Sequence, residues 1–228
     1  PRARRMIVIH LTGSPPHLDL YDHKPELVRR SGEDCPADTI QGKTFAFTSG
    51  TPKLLGTPRS WKRCGESGME LSDAIPNLQR VADRLCLVRS MFTDQFNHAP
   101  AELMVYTGAP RAGRPSMGSW VTYGLGTENQ NLPGFLTICP TLTHGGVNNW
   151  SSAFLPAYTQ GTPIGNASID AAMAKIPFIQ NAETPTEAQK LEIELIKKLG
   201  KDQLAHLGPD PALEGRINSF ELAFRMQL

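Results

Sequence analysis

Apolar residues are distributed along this chain in two rhythms. Residues 6–11 (MIVIHL) run almost without a polar break, as in a strand buried on both faces of a parallel sheet. The run ends at Thr12-Gly13-Ser14-Pro15-Pro16, where adjacent prolines bar a helix, and 17–25 reads as a loop rich in His and Asp. The stretch 43–62 is short and strand-like, punctuated by Gly and Pro. Leu71, Ile75, Leu78, Val81 and Leu85 then recur at helical spacing, with Ser72 as cap and Arg84 near the end. Residues 85–91 (LCLVRSM) predict a second parallel strand and 136–139 a third buried one. Further helices are predicted over 100–107, 116–123, 184–207 and 211–228. The 184–207 helix has Thr184 as cap, Pro185 in its first turn and Glu187 three residues on, with Gly200 as an interruption. No stop signal follows the last pattern, so residues 1–228 read as a single domain whose C-terminal part is missing.

Alternation of strand and helix predicts an α/β fold, a doubly wound and mostly parallel sheet flanked by helices. Ligands in such folds bind beyond the carboxyl ends of the strands, which directs attention to the loops 12–22 and 93–100.

Composition narrows the classes of partner. Lys and Arg number 23 against 22 Asp and Glu, a net charge of +1, so no basic footprint for nucleic acid exists. No apolar run is long enough to span a bilayer, and the chain begins at Pro1 without a signal-peptide core. Cys35, Cys64, Cys86 and Cys139 lack zinc-site spacing. Cys86 and Cys139 read as buried thiols in strand-like runs, and Cys35 and Cys64 as loop residues able to pair in an oxidising compartment.

Two clusters carry candidate chemistry. His98 at the start of a helix would meet free N–H groups that favour anions, and can serve as nucleophile, general base or metal ligand. Asp94 is placed to orient it and Asn97 to donate to an oxyanion; Asn97 and His98 would equally serve as helix caps. His17, Asp19 and Asp22 form a partial ligand set for a divalent cation (Ca, Mg or Zn), or alternatively a run of turn formers. Asn149 and Trp150, after Gly145-Gly146, suit contact with a sugar or another polar substrate, or pin their loop by hydrogen bonds. His10 reads as a core histidine. Ser116 reads as a helix cap, since Ser116-Met117-Gly118-Ser119 lacks the first glycine of a nucleophile elbow.

Several stretches together resemble the family called domain of unknown function 1501, in the sulfatase-like branch of the alkaline-phosphatase superfamily. They are TGSPPHLDLYDHKPEL, GKTFAFTSGTPKLLG, LCLVRSMFTDQFNHAPAELMVYTGAPRAGRPSMGSWVTYGLG, NLPGF, NNWSSAFLPAYTQGT and INSFELAFRMQ. The resemblance implies an alkaline-phosphatase-like fold, export to the periplasm or exterior by a twin-arginine-type signal, and a further half with His/Asp motifs. Sulfatases place a modified Cys at the N-terminus of a helix ending in Thr-Gly; Thr107-Gly108 closes such a helix here, and the same interval back falls on His98. Phosphatases of the superfamily place Ser or Thr there, and the strand-end acids of sulfatases are replaced by Thr12 and Gly13. The implied function is an exported hydrolase of sulfate or phosphate esters, on small molecules or glycans, with an atypical site lacking the Cys/Ser nucleophile. The alternative is a catalytically inactive binding or assembly component of the cell envelope.

Overall fold

The structure, a computed structural model, describes residues 3–12, 14–43, 49–176 and 179–228. Gly13, and positions 44–48 of the strand-like stretch, lie outside the described residues. Among the described residues the architecture is mixed α/β, with helices of very different length and two two-stranded sheets, and the chain divides into two compact units, Pro1–His98 and Ala99–Leu228.

The first unit contains α1 (Pro25–Arg29), α2 (Ala37–Ile40), the antiparallel pair β1 (Trp61–Cys64) and β2 (Met69–Ser72), and α3 (Pro76–Gln79). The β1–β2 turn uses Gly65 and Gly68, both at φ +66°, a conformation that costs glycine no Cβ clash. Asp83 fastens this turn from outside. Its carboxylate accepts the backbone N–H groups of Glu66 and Ser67 at 3.1 and 2.8 Å, and those bonds hold its pKa below the ordinary aspartate value. Cys64, Leu71 and Ala82 form the core, with Tyr21, Met69, Ile75 and Leu85 packed against it.

This unit departs from the sequence pattern in three places. The helix expected from Leu71 to Leu85 is divided into β2, α3 and a 3-10 turn at Ala82–Arg84, so Ser72 ends a strand instead of capping a helix. Pro76 explains the division: lacking an N–H, it belongs in a first turn, and α3 starts on it. Residues 6–11 and 85–91 carry no strand ladder, and Ile7 and Ile9 are 87% and 83% exposed. A parallel strand is stable only with partners beside it, and the strands of this unit are satisfied by each other. His10, expected in the core, is half-buried.

The second unit holds most of α4 (His98–Thr107), then α5 (Met117–Leu125), β3 (Leu136–Ile138), β4 (Thr162–Ile164), α6 (Thr186–Leu207) and α7 (Pro211–Arg225). Ser116 caps α5, its hydroxyl accepting from the Ser119 N–H, as the sequence predicts. β3 pairs in parallel with β4, Thr137 opposite Pro163, through Thr162 N–H to Phe135 O at 3.0 Å and Cys139 N–H to Ile164 O at 2.8 Å. β3 was expected to be buried, yet Ile138 is 73% exposed.

Helix α6 is continuous through Gly200, where no interruption occurs. Gly200 is buried because α7 crosses there, and a Cβ at this position would strike the Ile217 side chain. The predicted cap at Thr184 is replaced by a pre-helical turn, in which Asn181 Oδ1 accepts the N–H groups of Glu183 and Thr184. Helix α7 ends at Arg225, three residues before the predicted limit. Its cap Asp210 accepts from Ala212 and Leu213. All four cysteines are free: Cys64 is buried, Cys35 and Cys139 half-buried, and Cys86 exposed where burial was expected.

Candidate functional site

Helix α4 opens at His98, with Pro100 in its first turn, where the missing N–H is no loss. It closes as its sequence predicts. Gly108, at φ +73°, donates its N–H to Met104 O at 3.0 Å, and the Thr107 hydroxyl donates to Leu103 O at 2.8 Å. Helical periodicity places His98, Glu102 and Tyr106 on one face, one turn apart each.

Glu102 is only 4% exposed, an unusual position for a carboxylate. A loop folds back on it through three left-handed residues: His144 at φ 50°, Gly145 at φ 102° and Gly146 at φ 52°. A 3-10 turn over Gly146–Trp150 then delivers Asn149, whose Nδ2 donates to Glu102 Oε2 at 3.4 Å and to His144 O at 3.2 Å. A side chain at Gly145 would place its Cβ 2.9 Å from Asn149 Oδ1 and 3.2 Å from Leu103, so glycine permits the approach. Asn149 Oδ1 is buried and has no hydrogen-bond partner among the described residues. Burial, and then the Glu102 charge, push the Tyr106 phenol above its ordinary pKa, which keeps its proton on.

Asn149 and Trp150, expected to meet substrate, are 6% and 3% exposed. Trp150 O accepts the Gly161 N–H at 2.9 Å, and Ser151 O accepts from Ser116 N–H and the Ser119 hydroxyl at 2.9 and 3.0 Å. The turn thereby ties α4, α5 and the approach to β4 together.

The other predicted residues lie before α4. His17 and Asp19 sit on a 3-10 turn over His17–Asp19. Asp22 Oδ1 lies 3.0 Å from Lys24 Nζ and 4.0 Å from Arg89 Nε, so its charge is already matched. Asp94 accepts from the Gln95 amide at 2.9 Å, while Asn97 is exposed in the loop that enters α4. Among the described residues, no group of three or more His, Cys, Asp or Glu could hold a metal ion. His23 went unnoticed in the sequence. It stacks on Trp61 at 4.7 Å between ring centroids and 10° between planes, with Nδ1 at 3.7 Å from Glu70.

His98 is exposed at the start of α4, and Ala99, Pro100 and Ala101 behind it are half-buried. Glu102 follows His98 by one turn along the helix. Among known families, the chain matches one described as Protein of unknown function (DUF1501) over residues 3–228. No curated protein and no solved structure matches it.

Proposed function

The chain belongs to the family described as Protein of unknown function (DUF1501), and on that footing we propose that it is an exported hydrolase of sulfate or phosphate esters, borne on small molecules or glycans. In this reading its fold is alkaline-phosphatase-like, with a doubly wound sheet. The observation that carries it is the start of α4 at His98, with the buried Glu102 on the same helical face and Thr107-Gly108 at the far end.

The ester anion sits against the N–H groups of the first turn. His98 takes a proton from water, the water oxygen attacks sulfur or phosphorus, and the bond to the alcohol oxygen breaks. The imidazolium then returns its proton to the leaving oxygen. In this reading Asn97 donates to the developing oxyanion and Asp94 orients the imidazole. A divalent cation held by His17, Asp19 and Asp22 belongs to the same expectation. Those residues do not come together as three ligands among the described residues, so no step is routed through it.

The test is turnover of aryl sulfate, aryl phosphate and sulfated glycan, with and without added Ca, Mg or Zn, for the protein and for His98→Ala. Turnover of one substrate that falls about 100- to 10,000-fold in His98→Ala is expected. Absence of turnover with every substrate and metal would remove the reading.

One observation favours the second reading, a catalytically inactive binding or assembly component of the cell envelope. Met91, Phe92 and Phe96 are 81%, 95% and 63% exposed in the segment leading into α4, which suits a protein contact better than an anionic ester. That reading expects no turnover.

A further inference from the structure

Helix α5 and its cap contain three glycines, and two of them have evident reasons. Gly118 would meet the Phe135 ring with its Cβ, and Gly126 ends the helix at φ +70°. Gly124 has neither reason. It is helical and exposed, and a Cβ built on it meets nothing within 4 Å. Glycine is unfavourable in a helix wherever alanine fits, and bare backbone is where a ligand comes close.

The surface beside Gly124 is aromatic. Side chains on a helix lean toward its N-terminus, so one at position 124 would lie over Trp120, a turn earlier. Trp120, Tyr123 and Phe154 are 46%, 51% and 70% exposed. The rings of Tyr123 and Phe154 lie 6.2 and 5.9 Å from that of Trp120 and stand at 77° and 72° to it. Phe154 comes from a turn closed by Leu155 N–H to Ser152 O at 2.8 Å. Ala153 in that turn is left-handed at φ 46°, unfavourable for alanine, and the turn delivers the Phe154 ring to Trp120. The stretches 117–125 and 151–160, which carry the three rings, contain no charged residue.

We propose that this cluster binds an uncharged glycan through a pyranose ring whose hydroxyls are equatorial. Such a ring has two faces of C–H groups, polarised positive, which pack on the negative face of an aromatic ring. Its hydroxyls point sideways, within the chemistry of the Tyr123 hydroxyl and the Trp120 indole N–H. An anionic ligand would find no cation on these two stretches. The three half-exposed rings offer roughly 300 Å², enough for one or two sugar units. A standard protein interface takes roughly 800 Å² per partner, so the patch is too small for one. Gly124 keeps the helix surface low beside Trp120, which lets the sugar lie flat. The inference does not rest on ester hydrolysis, because the rings bind whether or not the chain turns a substrate over.

Cellohexaose, xylohexaose and mannohexaose should be titrated into the whole isotope-labelled chain, following the Trp120 indole N–H resonance, assigned by its loss in Trp120→Phe. At least one of them should move that resonance with a Kd on the order of 1 mM. Phe154→Ala, which removes an exposed ring and spares the fold, should weaken binding about tenfold with an unchanged circular dichroism spectrum. Gly124→Leu should weaken it more than about tenfold with the melting temperature equal or higher, since leucine favours the helix and obstructs only the ligand. No shift with any of the three up to about 20 mM overturns the inference, as does binding indifferent to Phe154→Ala or to a folded Gly124→Leu chain. An oligoproline peptide that moves the resonance where no sugar does would give the surface to a peptide, and overturns it too.

Discussion

Burial of Tyr106, with the Glu102 charge one turn before it on α4, bears on how this helix responds to alkali. Burial and the neighbouring carboxylate raise the phenol's pKa in the folded chain. A raised folded value means the stabilisation is fully present below the ordinary tyrosine range and lost as pH rises through the folded value. The urea midpoint should therefore drop above about pH 10, and Tyr106→Phe should flatten that drop; equal alkaline slopes for both proteins would refute the assignment. The sequence displayed some of these residues and hid others. Ser116 was legible as a cap because its signal is local, a Ser just ahead of a helical run. Glu102 was not, because its burial depends on Asn149, which a left-handed loop brings back from far along the chain. His98 stands at its helix start as expected, while the partners of Asp22 could not be read from a short list of acids.

At the scale of elements, the four later helices and β3 were readable, while the 71–85 helix and the other strands were not. α4, α5, α6 and α7 carry their own caps, prolines and periodicity, and their limits fall within a few residues of the pattern. Strands need partners distant in sequence, so 6–11 and 85–91, apolar enough for strands, form none. β4 was missed because Pro163 sits in its centre. Close packing of elements also rests on glycines that local pattern cannot explain. Gly118 lies inside α5, and a Cβ there would run into the Phe135 ring. Alanine should gain up to about 1 kcal/mol of helix propensity, but the ring is rigid and displacing it costs about 1–3 kcal/mol. Gly118→Ala should thus be neutral to destabilising by about 2 kcal/mol in urea titration, and a clearly stabilised variant would contradict the packing described.

At the scale of the molecule, few apolar residues of either size are buried. Among the described residues these are Leu20, Cys64, Leu71, Ala82, Leu103 and Trp150, while Phe92, Phe154 and Leu55 are 95%, 70% and 80% exposed. The slope of stability against urea scales with the surface newly exposed on unfolding, so it should lie near 1 kcal/mol/M, the low end for small proteins at about 1–3. A slope near 3 would show that the chain in solution buries far more than this conformation does. The strand pair of the second unit bears on what happens to such a chain when it is concentrated. In β4, Thr162 and Ile164 face β3, which turns the nitrogen of Pro163 outward with no hydrogen to donate. The opposite margin, along Leu136 and Ile138, keeps its outward amides. Self-templating is therefore polar: an incoming segment can extend this pair past β3 and is refused past β4, so aggregation seeded here would advance in one direction only.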